Sequence, residues 1–78
     1  MRTRVADLMT VDAVEGELDT ALRELRELEG SSNLNARTAT EYRIGRLRLR
    51  KMALEWVPAS AVPSNSMIRR LEIQLGPR

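Results

Sequence analysis

A chain of 78 residues with a formal charge of +2 is the size of one small domain, residues 1–78, and its apolar inventory is aliphatic: 11 Leu, 8 Ala, 5 Val, 4 Met and 3 Ile, with one Trp, one Tyr and no Phe. The absence of Cys and His excludes disulfide scaffolds, thiol nucleophiles, Cys/His zinc sites and Ser-His-Asp triads. No apolar run approaches the ~18 residues that span a bilayer. The start MRTRVADLM also lacks the apolar stretch of a signal peptide. These features imply a cytoplasmic, non-membrane chain that is not an enzyme and holds no cofactor or metal.

The small net charge conceals a segregation. Val5 to Gly30 holds eight acids against Arg23 and Arg26, whereas Ser31 to Arg78 holds nine bases against Glu41, Glu55 and Glu72. Twelve of the thirteen bases are Arg. That bias suits bidentate phosphate or carboxylate contacts, and equally suits a GC-rich coding sequence.

Residues 1–9 read as a flexible arm or a short helix. The first strong element is a helix at about 11–29. Val11, Val14, Leu18, Ala21, Leu25 and Leu28 recur at alternating spacings of three and four, and Leu22 widens that stripe. Asp12 with Glu15 has the form of a capping box, and Gly30 has the form of a C′ stop.

The second helix is expected at about 36–57. Tyr42, Gly45, Leu49, Met52 and Trp56 form its main seam, and Ile44, Leu47 and Leu54 form a second stripe. Two apolar stripes imply two neighbours. Period-two alternation in EYRI and RLRLR offers a competing strand at 40–50, but it changes phase at Gly45-Arg46. Pro58 and Pro63 bracket a stiff connector. A short third helix at about 65–75 follows, capped by Ser64 or Ser66, with Ile68, Leu71 and Leu75 on one face. There too a strand pattern, Leu71, Ile73 and Leu75, overlaps it. Residues 76–78 are expected to fray. The fold class is therefore all-α: an antiparallel helical hairpin plus a short C-terminal helix.

Two basic groups are candidates for binding. Arg43, Arg46 and Arg50 share a helical face that could track phosphates, or could pair with Glu24, Glu27 and Glu29 across the hairpin. Residues 62–72 have the spacing of the recognition half of a helix-turn-helix. Val62 would be the turn hydrophobe, Ser66 the small groove-facing residue, and Arg69 and Arg70 the DNA donors. Ala61 stands where that motif wants Gly, and Pro58 falls inside its first helix. Leu18, Leu25, Tyr42, Leu49, Met52 and Trp56 are read as core or interface, with core packing favoured for Tyr42 and Trp56.

These features are consistent with a small helical interaction module, a regulator or assembly factor that presents one helical face to a protein partner. A DNA-binding regulator using residues 53–72 and a structural subunit of a large assembly such as a phage particle are the competing readings. An exposed seam also favours homo-oligomers.

Overall fold

The computed structural model describes residues 3–76 and is all-helical, with no strand among the described residues. A single 3-10 turn, Val5–Asp7, leads into α1, Val11–Leu28; α2, Leu34–Trp56, and α3, Asn65–Leu75, follow. Both strand alternatives, at 40–50 and 70–75, are thus helix. Met1, Arg2, Pro77 and Arg78, part of the expected arm and tail, lie outside the described residues.

Each helix start is fixed by a short polar side chain that accepts from a backbone amide left orphaned by the first turn. Thr10 accepts from Ala13 N at 3.1 Å, Asn33 from Ala36 N at 3.1 Å and Ser64 from Met67 N at 3.2 Å. The Asp12–Glu15 capping box is not used, because Thr10 already holds the cap of α1. Gly30 does not act as a left-handed stop either. No described residue has positive φ, and Ser31 N donates to Leu28 O at 2.9 Å while the chain turns.

The five residues 29–33 between α1 and α2 force an antiparallel hairpin. Its core is Val14 and Ala21 of α1 against Ile44 and Leu47 of α2, with Leu8 from the arm. Val5, Leu18, Leu22, Leu25 and Leu54 pack on that cluster, half-buried. The stripe of α2 that faces α1 is therefore Thr40, Ile44, Leu47 and Leu54. The Tyr42–Trp56 seam does not face it. Burial of Thr40 costs little because its hydroxyl donates to Ala36 O at 2.9 Å.

Ile68 of α3 is fully buried outside that cluster, as is Ala53 of α2. α3 packs on α2, and at 11 residues it spans only about 16 Å of a helix about 35 Å long. The molecule is correspondingly elongated, with extents of 46 × 27 × 18 Å. Among the described residues no helix is long and apolar enough to cross a membrane.

Candidate interaction surfaces: an arginine cluster and an unpartnered helix face

The structure divides the basic candidates among three roles. Arg50 is not part of a phosphate-tracking face, since it is 2% exposed. Its Nε donates to Leu8 O at 2.8 Å, and its Nη2 to Ala6 O at 3.1 Å and Asn65 Oδ1 at 2.8 Å. Its Nη1 lies 3.6 Å from Oε1 of Glu72, itself 2% exposed. One guanidinium thus ties the N-terminal arm, α2 and α3 together. Nothing in the arginine-rich stretch distinguishes this residue by sequence, because Arg43, Arg46 and Arg48 repeat the same chemistry around it.

Arg43 is half-buried and donates to Glu17 Oε2 at 3.1 Å, and Lys51 sits 3.3 Å from Glu15 Oε1. The basic face of α2 is therefore tied to the start of α1 through Arg43 and Lys51, not to Glu27 and Glu29 as the sequence suggested. The hairpin register is the reason. Closing the turn at 29–33 sets the last turns of α1 opposite the first turns of α2, where Arg37 instead pairs with Glu41 at 3.3 Å.

Arg46, Arg50, Ser66 and Arg69 do converge. With Ala6, Asn65 and Glu72 they line an open cleft of about 480 Å³. The charges within it are largely satisfied by one another: Arg69 Nη1 donates to Glu72 Oε2 at 3.4 Å, and Arg50 pairs with the other oxygen. Arg46 Nε is buried with no hydrogen-bond partner. Arg70 is exposed.

A helix-turn-helix is not formed by residues 53–72. Eight non-helical residues, 57–64, separate α2 from α3, where that motif requires a turn of three or four. Pro58 is the cause: it holds Val57 extended, with ψ 127°, and ends α2. Val62, expected to plug the turn, is 88% exposed.

The second surface is apolar. Tyr42 is 68% exposed, Trp56 57% and Met52 46%. The core role favoured for the two aromatics is therefore excluded, and core packing is equally excluded for Met52. With Gly45, half-buried Leu49 and Leu75 of α3, Tyr42 and Met52 line an open groove of about 460 Å³ bordered by Arg46 and Arg48. Thr38, Glu41, Tyr42, Gly45, Arg48, Met52, Glu55 and Trp56 are all exposed, and they describe one continuous side of α2. Sequence periodicity did find this stripe. What it lacked was the identity of the two sides already occupied by α1 and α3.

Among the described residues no group of acids is arranged to hold a metal ion. No family model, curated protein or solved structure matches this chain.

Proposed function

We propose that the chain is a small non-enzymatic helical interaction module, a regulator or assembly factor that docks on a protein partner through the outer side of α2. The observation that carries this reading is the exposure of Tyr42, Met52 and Trp56 along one line of a helix whose other two sides are packed. Aromatic residues and Met are enriched where protein surfaces meet, and they supply large contact areas with few torsions to immobilise. A chain this small gains little from leaving three large apolar side chains in water, at about 25 cal/mol per Å² of apolar surface. Their alignment on one face supports binding over chance exposure.

Photo-crosslinking tests it. Benzoylphenylalanine placed at Tyr42 or at Met52 is expected to give discrete protein adducts in cells of the source, whereas the same group at exposed Asp19 of α1 gives none. Met52→Glu in the Tyr42-labelled chain abolishes those adducts. Equal labelling from Asp19, or none from positions 42 and 52, overturns the reading.

A further inference from the structure

We infer that the occupant of the outer α2 face is a second copy of this chain, paired antiparallel about α2; this rests on that face being the docking surface. The argument is one of register. Tyr42, Leu49 and Trp56 are spaced by seven, as are Gly45 and Met52, so they occupy the a and d positions of a heptad. Glu41, Arg48 and Glu55 are also spaced by seven and flank the seam on its open side; all three are exposed.

The opposite flank, at Arg46 and Ala53, is the one that α3 approaches, and Ala53 is fully buried. A parallel pair would set Arg48 against Ala53 of the second copy, where it finds no charge. An antiparallel pair instead sets open flank against open flank and α3-side flank against α3-side flank, so Arg48 meets the charged side of the second copy.

Charge then selects among antiparallel registers. With Leu49 opposite Met52 of the second copy, Trp56 falls opposite Gly45, and Arg48 falls opposite Glu55, twice by symmetry, while Tyr42 lies one turn outside the overlap. Sliding by one heptad, to place Tyr42 opposite Met52, sets Arg48 against its own copy and Glu41 against Glu55. That alternative is repulsive throughout. A further slide matches Arg48 with Glu41, but Glu41 is engaged by Arg37.

Shape agrees with the first register. A Cβ built on Gly45 meets nothing within 4 Å, so the helix offers a flat site there, and the largest side chain of the seam lies across from it. Arg48 and Glu55 have no ion pair within the chain among the described residues, and each is available to the other copy. The overlap, residues 45–56, is twelve residues or about 18 Å of helix, a short contact that suits a reversible pair rather than a permanent one.

Sedimentation equilibrium of the full chain from 1 to 500 µM at about 50 mM salt is the test. The expected result is a monomer–dimer equilibrium that Arg48→Glu or Glu55→Arg alone weakens at least tenfold. Combining the two restores it to within about threefold, because the pair is rebuilt with its signs exchanged. Far-UV circular dichroism confirms that the variants stay helical. A second measurement does not depend on charge: the chain has no cysteine, so a mixture of Arg48→Cys and Glu55→Cys chains is expected to oxidise to the mixed disulfide in preference to either homodimer. A strict monomer at 500 µM, a double variant no better than the singles, or homodisulfides alone overturns the proposal. In those cases crosslinks from Tyr42 to a protein of different mass still separate the docking surface from its occupant.

Discussion

Arg50 and Glu72 form a buried pair, Nη1 to Oε1 at 3.6 Å, with both side chains all but removed from solvent. The separation is too long for a hydrogen bond, and Oε1 has no other partner. Their attraction is therefore electrostatic, while the carbonyls of Ala6 and Leu8 and the amide oxygen of Asn65 satisfy the donors of the guanidinium. Two charges taken out of water together cost several kcal/mol each, which the pairing and these hydrogen bonds offset. The pair sits where the arm, α2 and α3 meet.

Removing one member leaves the other charged and buried. Glu72→Ala is expected to cost about 3–5 kcal/mol, a large share of the roughly 4–12 kcal/mol available to a chain of this length at about 0.05–0.15 kcal/mol per residue. Urea unfolding followed at 222 nm measures it. Arg50→Met with Glu72→Leu removes both charges, so it is expected to fall less than the single variant. It stays below the parent because the buried Leu8 carbonyl loses its donor, at about 1–3 kcal/mol, while the Ala6 carbonyl is open to water. A double variant worse than Glu72→Ala would show that the pair is not the source of the cost.

The two stripes of α2 make opposite predictions. Leu47 is fully buried in the hairpin core, so Leu47→Ala should cost about 2–5 kcal/mol. Trp56, with more than half its surface in water at the last position of α2, should tolerate Ala at a cost within about 1 kcal/mol and with helicity unchanged. Thermal melts at low micromolar concentration compare them. A collapse of Trp56→Ala to an unfolded chain would return that residue to the core.

How far the fold was legible depends on how many neighbours each helix has. α1 has one, so its single three/four stripe named its buried side, and Val14 and Ala21 lie at its centre. α2 has two, and apolar residues run around it. Bulk then misled, because the aromatic stripe looked most like a core while the one packed on α1 is Thr40, Ile44, Leu47 and Leu54. The buried charge was illegible for a different reason. Arg50 earns its role through carbonyls 42 and 44 residues away, and no local pattern encodes that separation. Pro58 was readable as a stop, and on that ground alone the helix-turn-helix spacing was already compromised.

Helix caps give a local test of the starts. Thr10→Ala and Ser64→Ala each remove a side-chain acceptor from a first-turn amide, and each is expected to cost about 1 kcal/mol. Asp12→Ala should cost only a few tenths, because Asp12 lies in the first turn and acts there through the helix dipole alone. Differences in melting midpoint rank the three. An Asp12 variant as damaging as the Thr10 one would reinstate the capping box.

Glycine-to-alanine changes separate helix stability from self-pairing. Gly16 and Gly45 lie inside helices, with open space where a Cβ would sit. Alanine at either is expected to stabilise the folded monomer by about 0.5–1 kcal/mol, since glycine loses more backbone freedom on folding. Gly16 is on α1, outside the proposed interface, so Gly16→Ala should leave the dimer constant unchanged. Gly45→Ala should raise the melting temperature equally yet weaken the dimer several-fold, because the added methyl lifts the Trp56 ring of the second copy off its flat site. Melting at 2 µM and sedimentation at 100 µM read the two effects separately. An unchanged or tighter dimer in Gly45→Ala would mean that Trp56 does not lie over Gly45, and the register would have to be redrawn.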